Sequence, residues 1–185
     1  MSTQPYEQAI AATRSVLEGV QADQLSEATP CASWNVSELI NHIVGGQHFF
    51  VAGMKGTPPT GADADYAAGD FVAAFDEASG ASLAAFGEEG ALQKTVSLPF
   101  GDMPGVAVLG LASTDTFQHG WDLAKATGQS TDLNPELAAG LLQQSKMAIQ
   151  DTFRGPEGAP FGAEQQAPDG AGPADQLAAF LGRTV

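Results

Sequence analysis

The sequence predicts an all-α protein, a helical bundle with one longer crossover, and three observations carry that reading. Apolar residues recur at three- and four-residue spacing through five long stretches and one short one. Start signals stand at the heads of several of these stretches: Pro5, Asn35 with Glu38, Asp70, and Asn134 with Pro135. Only the stretch from Lys94 to Phe100 alternates in the manner of a strand or an extended crossover. At 185 residues the chain suffices for one domain, spanning 1–185, with a substantial core.

Taken in order, the first helix is expected over about 5–20, with Ile10, Thr13, Val16, Leu17 and Val20 inward and Pro5 in its first turn. Gln21 to Trp34 reads as a structured loop that Pro30 and Trp34 pack against the helix ends. The second helix starts at Asn35, with Glu38 at the N3 position of a capping box, and reaches about Met54. Residues 56–69 hold Pro58, Pro59 and several glycines and read as loop. The third helix fits about 70–88, capped by Asp70, with Phe71, Phe75, Ala78, Leu83 and Phe86 inward. Gly80 weakens it by roughly 1 kcal/mol relative to Ala. Gly101 to Gly105 reads as a turn, and a fourth helix then runs to Thr127–Gly128, where Gly128 suits the C′ position. Asn134-Pro135-Glu136 opens a fifth helix expected to reach about Phe153. Residues 154–172, rich in Gly and Pro, read as a loop that could form a flap beside a site, and a short final helix runs from Pro173 to Gly182.

Composition excludes several roles. There are 22 acidic and 7 basic residues, a formal charge of −15, and the basic residues are scattered. Nucleic-acid binding requires a basic footprint that this chain lacks, and anionic lipid is disfavoured for the same reason. No stretch nears the roughly 20 apolar residues that span a bilayer. The first residues lack a basic start and an apolar run, so no secretory signal is read and a cytoplasmic location is expected. The single cysteine, Cys31, cannot form an intrachain disulfide and reads as a small buried apolar side chain.

The most informative run is Asp115-Thr116-Phe117-Gln118-His119-Gly120-Trp121-Asp122. Asp115 and His119 are four residues apart, hence on one helix face with Cβ atoms about 5–6 Å apart. The apolar stripe Val108, Leu111, Ala112 runs straight into them. A carboxylate on such a stripe is costly unless paired or metal-bound, and this pair alone leaves both readings open. His42 also lies on an inner stripe, with Leu39, Ile43 and Gly46, and Gly45 and Gly46 leave room one turn beyond its ring. Two imidazoles and a carboxylate, each on an inner stripe, are compatible with an N,N,O metal site of His42, Asp115 and His119 as well as with a hydrogen-bonded polar cluster. His48 lies about 120° round the helix from His42 and should not share it. Asp122 is either an exposed helix-end acid or the group that holds the His119 ring N–H. Trp34 and Trp121 read as packing residues, with Trp121 the one that could line a pocket mouth.

These residues carry a family likeness. Thr29-Pro30-Cys31-x-x-Trp34-x-Val36-x-x-Leu39-x-x-His42 with Gly45-Gly46, and Asp115-x-x-x-His119-Gly120-Trp121-Asp122-Leu123-Ala124-x-Ala126-x-Gly128, resemble the actinobacterial DinB-like superfamily. The branch is the one named after the N-terminal, metal-binding domain of mycothiol-dependent maleylpyruvate isomerase. The resemblance implies a DinB-like four-helix bundle with a longer crossover and short extra elements. It implies a divalent metal, zinc or nickel, on His42, Asp115 and His119. The isomerase has Glu at the acidic position; this chain has Asp, one methylene shorter.

Three functions follow as expectations. The first is a metal-dependent thiol S-transferase or isomerase with mycothiol as co-substrate and a small electrophile as partner, a homodimer being the assembly to test. The second is a hydrolase using metal-activated water. The third is a non-catalytic metal- or ligand-binding bundle.

Overall fold

A computed structural model describes residues 2–61, 63–155 and 161–185. Its main elements are α1 (Gln4–Gly19), α2 (Val36–Lys55), α3 (Phe71–Gly87), β1 (Thr95–Leu98), β2 (Gly101–Pro104), α4 (Gly105–Ala126), α5 (Pro135–Ala148) and α6 (Pro173–Phe180). The first four helices close a ring in which α1 packs on α4 and α3, and α2 packs on α3 and α4. The β-hairpin lies on α2 and α4, while α5 and α6 pair with each other and cover the outer side of α4. The architecture is the expected all-α, DinB-like bundle.

The caps form as the sequence chemistry requires. Asn35 accepts from the Glu38 N–H while Glu38 accepts from the Asn35 N–H, satisfying two orphan donors at the start of α2. Asp70 caps α3 through the Ala73 N–H, and Asn134 caps α5 through the Leu137 N–H.

Three apolar clusters hold the bundle. Leu17, Leu39, Ile40, Phe75 and Leu123 fill one end, and Phe50, Phe86, Val96 and Val108 fill the end beneath the hairpin. Phe117, Trp121, Leu141 and Leu177 join α4 to α5 and α6. Each fully buried side chain of this size contributes roughly 1.5–3 kcal/mol by leaving water. Helix α4 is central to all of this and is buried on almost every side over 116–124. It can approach α1 closely because residue 120 is glycine: a Cβ there would lie 3.2 Å from the Thr13 Cα.

A buried polar chain crosses the ring. The Tyr6 hydroxyl donates to Gln47 Oε1 and lies 2.8 Å from Ser82 Oγ, Gln47 Nε2 donates to Thr116 Oγ1 at 3.0 Å, and Thr13 Oγ1 donates to the Thr116 carbonyl at 2.8 Å. One network therefore ties α1, α2, α3 and α4 in register. Burial pushes the Tyr6 hydroxyl well above the ordinary phenol range, so it stays protonated as a donor.

Two local expectations are corrected. Gly101–Pro104 is not a turn but a strand, paired antiparallel with β1 from Thr95↔Pro104 to Leu98↔Gly101. Its Gly and Pro read as turn residues, but the pairing needs only backbone groups of the two strands. Helix α5 stops at Ala148 rather than Phe153: Ile149 turns extended, packs toward the third cluster, and a short 3₁₀ turn follows at Asp151–Phe153. The expected flap over 154–172 falls partly on residues 156–160, outside the described residues. Its described part lies against α6, where the Gln165 N–H donates to the Ala179 carbonyl and Arg154 donates to the Phe180 carbonyl.

Candidate metal centre

The inner faces of α2 and α4 bring His42, Asp115 and His119 together. His119 Nε2 lies 3.5 Å and His42 Nε2 4.0 Å from Asp115 Oδ1, and all three donor atoms fall within 4.8 Å of one another. The two imidazole rings meet edge to face with centroids 4.5 Å apart. His42 Nε2 is buried and has no hydrogen-bond partner among the described residues. Both distances to Asp115 exceed the roughly 2.7–3.2 Å of a hydrogen bond to a carboxylate. Three donors at about 2.1 Å from one ion lie within about 4.2 Å of each other, so small side-chain rotations let this trio fit one.

His119 is held from behind. Its Nδ1 lies 3.1 Å from Asp122 Oδ2, which aims Nε2 at Asp115. Asp122 is fully buried, not an exposed helix-end acid, and is surrounded by donors. Arg183 binds both its oxygens, Nε to Oδ1 at 3.0 Å and Nη2 to Oδ2 at 2.9 Å, and Gln118 Nε2 donates to Oδ1 at 3.2 Å. Cys31 Sγ donates to Oδ2 at 3.2 Å and lies 3.9 Å from His119 Nδ1. Cys31 is thus part of the polar cluster behind the histidine, not a small apolar filler. Cys31, His119 and Asp122 also form a trio of metal-ligand type. The guanidinium saturating Asp122 and touching Cys31 at 3.4 Å makes that second trio a poor cation site.

Electrostatics follow this arrangement. Burial opposes charge on Asp115 and His119, yet each stabilises the other: Asp115 is held well below the carboxylate range, and His119, also facing Asp122 and Cys31, well above the imidazole range. Burial likewise opposes the Asp122 carboxylate, but its bond to His119 and the Arg183 charge bring it down to about 2.

Of the two tryptophans, Trp121 packs in the core as expected, while Trp34 borders the site. Trp34 stacks on His42 with centroids 4.3 Å apart and sits 5.8 Å from His119, so it walls the site. Trp121 is wholly buried and its Nε1 donates to Asp175 at 2.8 Å. His48 stacks on Tyr66 away from the trio. Gly46 faces the site, where a Cβ would lie 3.5 Å from Asp115 Oδ2, and Gly45 borders open space. Arg183 closes the Phe180-Leu181-Gly182-Arg183 run that shares the family likeness, but nothing local to residue 183 marks its pairing with Asp122.

A family model described as the mycothiol maleylpyruvate isomerase N-terminal domain matches residues 6–124, well over half the chain. The chain belongs to the mycothiol maleylpyruvate isomerase N-terminal domain family. Two uncharacterized proteins of Mycobacterium tuberculosis, from strains CDC 1551 / Oshkosh and ATCC 25618 / H37Rv, are each 43% identical over 182 residues, covering 97% of this chain and 96% of theirs. The crystal structure of the mycothiol-dependent maleylpyruvate isomerase shares the fold at TM-score 0.56 and 16% identity, over 82% of this chain and 72% of that one. The family match covers α1 to α4 with the whole trio, and Arg183 lies beyond it. No helix among the described residues is long and apolar enough to cross a membrane.

Proposed function

We propose that this member of the mycothiol maleylpyruvate isomerase-like family holds one divalent ion, zinc or nickel, on His42, Asp115 and His119 and uses it in thiol-dependent S-transfer or isomerisation, with mycothiol as the thiol. The observation that carries the reading is the convergence of two imidazole nitrogens and one carboxylate oxygen within 4.8 Å, one nitrogen buried and unpartnered. A divalent ion in such a site supplies Lewis acidity that favours the thiolate form of a thiol placed beside it.

The chain's own residues do the rest. Asp122 orients the His119 ring through Nδ1, and Arg183 keeps Asp122 ionised and immobile. Trp34 limits the rotation of His42 by stacking and shields that side from water. Gly45 and Gly46 leave the approach to Asp115 open for a small molecule.

The test is metal content by plasma mass spectrometry on the purified protein, on His42→Ala and on His119→Ala, followed by thiol-conjugation assays on the zinc- or nickel-loaded protein. Near one ion per chain, lost in both variants, with turnover that requires added mycothiol, is the expected result. No uptake of either ion overturns the metal reading. Turnover that proceeds without thiol overturns the transferase reading in favour of hydrolysis.

A further inference from the structure

The basic side chains are few enough to be followed one by one, and all seven lie among the described residues. Arg14 is paired with Asp76 and Glu18 on the outside of α1 and α3. Lys94 donates to the Met54 carbonyl, and Arg154 to the Gly162 and Phe180 carbonyls. Lys125 lies over Trp121 and Lys146 over Phe180, both on the α5–α6 side. Lys55 ends α2, thirteen residues and thus about 20 Å along the axis from His42. Only Arg183 reaches the site, and both oxygens of Asp122 occupy it.

The helix faces that continue from the trio carry apolar residues. Along the face of α2 that carries His42, the next positions are Gly46 and then Phe49, whose ring stacks with Phe100 of the hairpin turn at 6.4 Å. Phe100 is 62% exposed, and Leu111 continues the same stripe on α4 one turn from Asp115. Trp34 lies over the imidazoles, and the helix positions that follow the trio on these two faces are glycines, a phenylalanine and a leucine. Asn41, next to His42 in the chain, donates to Asp65 at 3.1 Å, so the charge it brings to this end of α2 is negative.

We infer that the electrophile this site takes is an uncharged, apolar molecule, and that carboxylate-bearing electrophiles are excluded. This rests on the thiol-transfer reading above. A divalent ion with Asp115 and a thiolate is already charge-balanced, so a substrate carboxylate would be desolvated with no cation to meet it. The −15 charge of the chain also repels anions on approach, an effect that salt weakens.

The experiment compares methyl 4-(chloromethyl)benzoate with 4-(chloromethyl)benzoate as electrophiles for mycothiol on the zinc-loaded protein, each rate divided by the uncatalysed rate with the same thiol. In both, the C–S bond forms as the C–Cl bond breaks, chloride leaves with its electron pair, and the thiol proton passes to solvent. Binding of the unreactive methyl 4-methylbenzoate and 4-methylbenzoate is followed in parallel by amide shifts of Gly45, Gly46 and Trp34. The expected result is a normalised kcat/KM about tenfold or more higher for the ester. The acid alone should gain with added salt, and only the neutral probe should shift the three amides. An acid that reacts as well as the ester, or 4-methylbenzoate shifting the same amides as strongly, overturns the inference. No thiol conjugation of either electrophile, with the ester probe still bound selectively, overturns the transferase reading and leaves charge selection standing. Neither turnover nor binding overturns both.

Discussion

Arg183 and Asp122, 61 residues apart in the chain, form a two-toothed ion pair with N···O distances of 3.0 and 2.9 Å, behind the ring of His119. The pair sets the orientation of His119 without contributing a donor to the trio itself. Asp122→Asn should therefore lower zinc affinity about 10–100-fold while leaving the stoichiometry at one, read by competition with a chromophoric chelator. An unchanged affinity would mean that the helix alone orients the imidazole.

The same carboxylate couples stability to acid. Its folded value, about 2, lies below its ordinary 3.8, so its contribution is complete above about pH 4 and fades as pH falls toward 2. Metal-free Asp122→Asn should be less stable than wild type by roughly 3–5 kcal/mol near neutrality, because it leaves Arg183 buried and unpaired. That gap should shrink by the order of 2 kcal/mol between pH 5 and pH 2.5 in urea unfolding. A gap independent of pH would contradict the assignment.

Two glycines should respond in opposite directions to the same substitution. Gly80→Ala, in an exposed part of α3 with nothing within 4 Å of the new methyl, should stabilise by about 0.5–1 kcal/mol. Gly120→Ala would press on the Thr13 backbone, 3.2 Å from the new Cβ, and should destabilise by about 1–3 kcal/mol despite the better helix propensity. Thermal unfolding of the two variants checks both signs.

Tyr6→Phe removes the hydroxyl shared by Gln47 and Ser82 and leaves Gln47 Oε1 buried without its donor. A loss of roughly 1–3 kcal/mol in urea unfolding is expected. Tyr6→Phe should leave zinc stoichiometry unchanged, since no atom of Tyr6 belongs to the trio.

Periodicity and caps determined the helices, because both are rules about neighbours three and four residues apart. Asn35 with Glu38, Asp70 and Asn134 each mark a helix start in the sequence and cap one in the fold. The same local rule put His42 on one inner stripe and Asp115 and His119 on another. Their meeting was legible because two inner stripes of a bundle must face the same core. What surrounds them was not. Arg183 on Asp122, the Cys31 thiol behind His119, Trp34 over His42 and the Tyr6–Gln47–Thr116 chain each join residues that no local pattern links. Sequence alone placed His42, Asp115 and His119 on the inner stripes of their helices. Only tertiary structure decided what orients them, because a loop or a distant arginine reaches its partner through the packing of the whole bundle rather than through the pitch of one helix.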